Sequence, residues 1–317
     1  MSEINQIRIV FMGTPNFAVP SLKSLAEAGG NVVAVVTQPD RPRGRKRELT
    51  PSPVKQEAVE LEIPVLQPER LRAPESLAKV LAFEPDLIVT AAYGQILPKS
   101  LLDVPRLGCI NVHASLLPKY RGGAPIHHAL IAGEKETGIT IMYMVEALDA
   151  GDILSQSSIP IEESDDVGTL HNKLSVLGAE LLLETIPDLL KGEIVARPQN
   201  TDEVTYSPNI RREDEEIHWQ KSARQLTNQV RGLHPWPVAF TFWEGKPLKI
   251  WRAHELDEPV TQLPGTILRA GGDGIVVATG DGALVITELQ PAGKKAMTAE
   301  QLLRGRPMKP GTRLGDC

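Results

Sequence analysis

The segment Gly108-Cys109-Ile110-Asn111-Val112-His113-Ala114-Ser115 carries an amide and an imidazole two residues apart. In a strand, successive side chains alternate between faces, so Asn111 and His113 point the same way. A third polar group, Asp149 in Ala147-Leu148-Asp149-Ala150-Gly151-Asp152, follows the apolar run Ile139–Val145 in a loop whose glycine allows close approach of a ligand. A neutral amide donor, an imidazole and a carboxylate together form a general acid–base set with an oxyanion donor. A lone histidine is more often structural than catalytic; Asp149 is what turns this one into a candidate. The loop from Leu116 to Ile126 contains Pro118, Gly122, Gly123 and Pro125, and such a rigid loop with free backbone N–H groups suits a planar heterocycle. His127, His128, His171, His218, His234 and His254 show no comparable partner pattern and are expected to be structural or surface residues. Trp219, Trp236, Trp243 and Trp251 are expected in the core rather than stacked on bases.

The elements that must hold these groups are legible in outline. Residues 7–12 form an apolar run ending in Gly13-Thr14-Pro15, followed by helical spacing at Phe17, Val19, Leu22 and Leu25 and a Gly29-Gly30 stop. Further buried strands are expected at 32–36, 87–89 and 110–112, with helices near 53–62, 75–83 and 124–132. Apolar strands alternating with helices indicate a parallel sheet covered on both faces, a Rossmann-like α/β fold whose ligands bind beyond the carboxyl ends of the strands. The Gly-x-Gly-x-x-Gly fingerprint of a dinucleotide site is absent after the first strand, which argues against a nicotinamide dehydrogenase.

A helix of about 20 residues is expected from near Asp166, after which residues 190–208 are polar and aperiodic and read as a linker. From 209 onward the texture changes to short strands at 248–251, 274–279 and 283–286 between glycine turns. The expected organisation is therefore a catalytic domain over 1–189 and a smaller C-terminal β-barrel, OB-like, over 209–317, a kind of barrel that often binds single-stranded nucleic acid.

Of 317 residues, 41% are hydrophobic and 23% charged, too apolar and too mixed in charge for a disordered chain. There is no membrane-spanning apolar run and no signal peptide, so a cytoplasmic protein is expected. Two cysteines, Cys109 and Cys317, support neither a disulfide framework nor a cysteine zinc site; no metal site is expected. Residues 209–317 hold 15 Lys/Arg against 13 Asp/Glu, a net +2, whereas the first 208 residues carry a net −8. Within that acidic part, Arg41, Arg43, Arg45, Lys46 and Arg47 make a dense basic cluster suited to a polyanion.

These segments carry a resemblance. Phe11-Met12-Gly13-Thr14-Pro15, Thr37-Gln38-Pro39-Asp40-Arg41-Pro42, Asn111-x-His113 with Ser115-Leu116-Leu117-Pro118, Leu148-Asp149-x-Gly151-Asp152, Pro235-Trp236-Pro237 and Gln290-Pro291-Ala292-Gly293-Lys294-Lys295 resemble the bacterial methionyl-tRNA formyltransferases, end to end. The Asn-x-His, Ser-Leu-Leu-Pro and Leu-Asp-x-Gly-Asp set is shared with the wider tetrahydrofolate-dependent formyltransferase superfamily; the C-terminal motifs and the 37–42 loop narrow it. The resemblance implies formyl transfer from 10-formyltetrahydrofolate to the α-amino group of methionyl initiator tRNA, in a protein acting as a monomer. It implies that Asn111 and His113 face the developing oxyanion, while Asp149 keeps His113 charged and receives the amine's proton. It further implies folate contacts at Ser115, Leu116, Leu117, Pro118, Tyr93, Gly94, Ile96 and Leu97, and tRNA contacts at Arg41, Arg43, Arg45, Lys46, Arg47, Lys294 and Lys295. A formyltransferase for a small amine shares the catalytic set but leaves the C-terminal domain and the basic cluster unexplained. A non-enzymatic RNA-binding protein leaves Asn111, His113 and Asp149 without a shared purpose.

Overall fold

The computed structural model describes residues 3–43 and 48–315. In chain order the first elements are β1 (Ile9–Gly13), α1 (Val19–Glu27), β2 (Val32–Val36), β3 (Arg41–Arg43), β4 (Glu48–Thr50), α2 (Pro53–Glu60), β5 (Val65–Leu66) and α3 (Pro74–Leu81). Then follow β6 (Leu87–Ala91), α4 (Lys99–Leu102), β7 (Cys109–His113), α5 (Pro125–Ala132), β8 (Glu136–Tyr143), β9 (Ile153–Pro160) and α6 (Val167–Lys191). The remainder comprises α7 (Ala223–Gly232), β10 (Phe240–Trp243), β11 (Lys246–Leu256), β12 (Ile267–Gly271), β13 (Gly274–Ala278), β14 (Ala283–Pro291), β15 (Met297–Thr298) and α8 (Ala299–Gly305).

Seven strands form one sheet in the order β5-β2-β1-β6-β7-β8-β9. β1 pairs in parallel with both β2 and β6, β5 with β2, and β7 with β6. β1 and β6 are buried at every residue, as the unbroken apolar runs require of strands covered on both faces. Ile9, Phe11, Leu87, Ile88 and Ile110 are wholly buried, each worth about 1.5–3 kcal/mol in removed apolar surface. β8 departs from the expected pattern by running antiparallel to β7, with His113 opposite Thr140 and Ile110 opposite Tyr143. α5, which precedes it, packs against α7, and an antiparallel neighbour needs no crossover helix.

The second sheet runs β10-β11-β14-β13-β12, antiparallel throughout, with β15 added beside β14. Trp219, Leu226, Ile250, Ile275, Leu284 and Ile286 lie in its core. Among the described residues the ladders trace an open path from β10 to β12, so the C-terminal part is an antiparallel sheet domain. Reciprocal side-chain caps start its helices, Ser222 with Gln225 and Thr298 with Gln301. Trp219 and Trp243 are buried as expected, whereas Trp236 is 44% exposed.

The chain divides into two compact units that interleave along the sequence: Met1–Gly122, Glu136–Ile159 and His171–Ser207 form one, and Gly123–Lys135, Pro160–Leu170 and Pro208–Cys317 the other. These edges differ from a simple division near 189 and 208. α5 joins the C-terminal unit because Ile131 packs into that unit's core, and so close to α7 that a side chain on Gly232 would meet Ile131 Cγ1 at 2.6 Å. Of residues 190–208, read as a linker, those up to Ser207 are built into the first unit by main-chain hydrogen bonds. The N–H groups of Ile153 and Arg197 donate to each other's carbonyls (2.8 and 2.9 Å), Arg121 N–H donates to Thr205 O (2.9 Å), and Ser207 N–H donates to Arg121 O (2.7 Å). A segment anchored by its backbone needs no apolar period, which is why it looks like a linker in sequence.

Candidate active site

Asn111 and His113 stand on β7 as the alternation requires, the first half-buried and the second buried. Thr90, opposite Asn111 on β6, donates its hydroxyl to Asn111 Oδ1 at 2.8 Å. That contact leaves the Asn111 amide N–H groups, rather than its oxygen, for whatever lies in front of the strand. His113 Nε2 lies 3.1 Å from the Tyr120 carbonyl, which can only accept, so Nε2 carries the proton. Its Nδ1 faces Asp149 Oδ2 at 3.8 Å, longer than a hydrogen bond but close enough to serve one shared proton donor between them.

Asp149 reaches this position by an indirect route. Because β8 is antiparallel to β7, its carboxyl end lies away from His113. The following loop, residues 144–152, closes with Tyr143 N–H donating to Asp152 O at 2.9 Å and delivers the Asp149 carboxylate to the imidazole. Two features set its shape. Asp149 adopts the left-handed region, φ +45, unusual for a residue with a side chain although aspartate tolerates it better than most. A Cβ on Gly151 would lie 1.8 Å from Tyr143 O, so only glycine fits. The carboxylate then accepts from the Gly122 N–H at 2.8 Å, which ties it to the loop that also carries Tyr120.

The Ser115–Pro118 loop is held from below. Thr140 donates its hydroxyl to Ser115 O (2.7 Å) and accepts from Leu117 N–H (3.1 Å), while Gln156 Nε2 donates to Leu117 O (2.9 Å). Ser115 is buried and spends its own hydroxyl on Lys119 O at 2.7 Å. Leu117 is buried too, leaving Leu116 and Pro118 as the partly open side chains. The loop after β6 divides similarly: Tyr93 and Leu97 point into the core, whereas Gly94 is exposed at φ +89 and Ile96 is 84% exposed. The Tyr93 carbonyl accepts from Thr14 Oγ1 (2.9 Å) and Gln38 Nε2 (3.2 Å), so the Gly13-Thr14-Pro15 turn braces this loop instead of holding a phosphate. Burial raises the Tyr93 phenol's pKa above its ordinary value.

Of the basic residues, Arg41 lies on a two-stranded hairpin, β3 with β4, and pairs with Glu69 at 2.9 Å. Arg45, Lys46 and Arg47 fall outside the described residues, as does the side chain of Arg43. Lys294 and Lys295 are exposed in the turn between β14 and β15. Among the described residues no group of three or more His, Cys, Asp or Glu is placed to hold a metal ion, and no helix is long and apolar enough to cross a membrane. Sequence reasoning missed Thr90, Thr140, Gln156 and Gln199. The first three act across strands, and only the register of the sheet reveals them.

Asn111 and His113 share one face of β7 in a parallel-rich sheet, and Asp149 comes to 3.8 Å from the imidazole, an arrangement suited to acid–base chemistry. The comparisons with known proteins make the class specific. The formyl transferase family matches residues 7–186, and the formyl transferase C-terminal domain matches 209–307. The methionyl-tRNA formyltransferase of Halalkalibacterium halodurans is 62% identical over 300 residues, covering 94% of this chain and 95% of that protein. That of Bacillus subtilis is 59% identical over 309 residues, covering 97% and 98%. The chain belongs to the methionyl-tRNA formyltransferase family. Among solved structures, the sugar 3N-formyl transferase WlaRD is similar in fold, with a TM-score of 0.67, 18% identity, and coverage of 91% of this chain and 99% of that one. HypX from Aquifex aeolicus in complex with tetrahydrofolic acid is similar at a TM-score of 0.62 and 19% identity, covering 96% and 48%.

Proposed function

We propose that this protein transfers the formyl group of 10-formyltetrahydrofolate to the α-amino group of methionyl initiator tRNA, giving the formylated initiator for translation. The observation that carries the reading is the His113–Asp149 pair at 3.8 Å beside an Asn111 amide oriented by Thr90, in a chain 56–62% identical over nearly its full length to relatives that bear this activity in their name. The folate supplies an activated formyl group; its planar ring is assigned to the open positions of two loops, Gly94 and Ile96 after β6 and Leu116 and Pro118 after β7.

The chain's residues then divide the work. As the amine nitrogen bonds to the formyl carbon, the formyl oxygen takes up negative charge, and the Asn111 N–H groups are the donors aimed at it. The amine must lose a proton to become an amide. His113 Nδ1 and the Asp149 carboxylate, 3.8 Å apart, stand on either side of the space through which that proton leaves, and the pair takes it up. His113 then returns the proton to the folate nitrogen as the carbon–nitrogen bond to it breaks, so the enzyme ends as it began. Arg41 and the basic residues that follow it, with Lys294 and Lys295, are the candidates for tRNA phosphate contacts. We read the antiparallel C-terminal domain as OB-like, the long β11 with its irregular pairing around Arg252 supplying the bend that such a fold needs. The setting is a cytoplasmic monomer.

The test gives the protein 10-formyltetrahydrofolate with methionyl initiator tRNA or with a nucleotide-linked amino sugar, and follows which amine gains the formyl group. Formylation of the tRNA alone is expected; formylation of the sugar with an inert tRNA overturns the reading. His113→Ala and Asp149→Ala are each expected to lower kcat by at least about 100-fold in a folded protein.

A further inference from the structure

Gln199 sits in the segment read from sequence as a linker, yet its amide uses every hydrogen-bonding position it has on the catalytic loops. Nε2 donates to Asp149 O and to Gly151 O, each at 2.8 Å. Oε1 accepts from Arg121 Nε at 3.0 Å and Arg121 Nη2 at 2.7 Å. The orientation of the amide follows from its partners, since carbonyls only accept and a guanidinium only donates. The two carbonyls it grips belong to the residues on either side of Ala150, in the turn where Asp149 holds its left-handed conformation. Arg121, buried, belongs to the loop whose Tyr120 carbonyl accepts from His113 and whose Gly122 N–H donates to the Asp149 carboxylate. The same segment reaches that loop again: Tyr120 N–H donates to Thr205 Oγ1 (2.8 Å) and Ser207 Oγ donates to Tyr120 O (2.9 Å).

From this geometry we infer that Gln199 is a positioning residue for the reaction, clamping the Asp149 turn to the Arg121 loop so that the carboxylate and the His113 imidazole keep their spacing. The inference rests on the reading of Asp149 and His113 as the proton-handling pair. Without the clamp, the Asp149 turn is free to relax toward the commoner right-handed backbone, carrying its carboxylate away from the imidazole. A displacement of about 1 Å at a reacting group is enough to cost on the order of 100-fold in rate. Every hydrogen-bonding position of the Gln199 amide is taken by the protein itself, so its loss is expected to fall on kcat and to leave the binding of both substrates in place.

Four variants of the full-length protein test this, with kcat, KM for each substrate, the pH profile of kcat and thermal midpoint measured together. Gln199→Ala is expected to lower kcat at least about 10-fold, with both KM values within about twofold, and to displace the pH profile. Gln199→Glu keeps an acceptor for Arg121 and strengthens that pair, but turns a carboxylate toward two carbonyls; its kcat is expected to fall as far as that of Gln199→Ala even where its thermal midpoint is unchanged or higher. Activity that follows the thermal midpoint across the variants assigns Gln199 a structural role and overturns the inference. The double variant Asp149→Ala with Gln199→Ala is expected to be no slower than Asp149→Ala alone, because the clamp acts through Asp149. Normal turnover by Asp149→Ala sinks the catalytic reading itself. A crippled Asp149→Ala beside a Gln199→Ala with unchanged kcat and pH profile sinks only the role given to Gln199.

Discussion

Thr90 shows how much one hydroxyl can decide. It is buried, and besides Asn111 Oδ1 it lies 3.1 Å from Ile110 O, but it has one proton to give, and the shorter contact is the one that sets the Asn111 amide. Thr90→Val keeps the shape and removes the donor. The expected outcome is a fall in kcat of about 10-fold, smaller than the 10²–10³ of losing an oxyanion donor outright because the amide remains and only its orientation is freed. A stability loss of about 1–3 kcal/mol should accompany it, from buried acceptors left unpaired. Thr90→Ser should restore both, and an unchanged kcat in Thr90→Val would remove Thr90 from the site. Asn111, His113 and Asp149 were legible because motif and alternation name them directly. Thr90 was not, because its part depends on standing opposite Asn111 in the neighbouring strand, and register between distant strands leaves no local trace in a sequence. Cys109, two residues before Asn111 on the same face of β7, offers a contrast: burial pushes its thiol up to about 12, with Asp103 adding to the shift, and it has the inertness of a core side chain.

At the scale of elements, the end of the sheet remote from His113 is pinned by one carboxylate. Asp86 Oδ2 accepts from Arg8 N–H at 2.8 Å and Oδ1 from Arg106 Nε at 2.6 Å, so the chain entering β1, β6 and β7 is tied at a single residue. The Arg8 N–H, and secondarily Arg106, holds the Asp86 carboxyl below its ordinary value of 3.8. With the folded pKa below the unfolded one, its stabilising contribution is fully present above about pH 4 and is lost as the pH falls through the lowered folded value. Asp86→Asn should therefore cost on the order of 1 kcal/mol at neutral pH, discounted for solvent exposure. Chemical denaturation at pH 7 and again near pH 2 checks it, and an equal cost at both would mean the charge contributes nothing. The strands themselves were plain from their apolar runs and flanking glycines. The direction of β8 was not, since an apolar run reads the same whichever way it is inserted. Residues 190–208 read as a linker for a related reason: hydrogen bonds made by backbone and by Gln199 require no pattern of side chains.

For the molecule as a whole, the uneven charge has a measurable counterpart. A chain of net charge −6 must hold a tRNA through local concentrations of positive charge, and in the sequence Arg41–Arg47 is a dense one. Replacing Arg43, Arg45, Lys46 and Arg47 together by alanine should weaken tRNA binding and flatten its salt dependence by about 0.7–0.9 in log–log slope for each phosphate no longer neutralised. Folate affinity should be unchanged, and an unaltered tRNA slope would mark the cluster as ordinary solvated charge. The interleaving of the two units carries a further consequence, one of timing. α5 ends at Ala132 and its partner α7 begins only at Ala223, so at 5–20 residues per second the ribosome makes the second on the order of 5 to 20 s after the first. Throughout that interval Ile131 lacks the C-terminal core it packs against. The nascent chain must be made past Ala223 before α5 can finish packing, and a ribosome stalled before that point would hold out a sticky, half-assembled protein for chaperones to find.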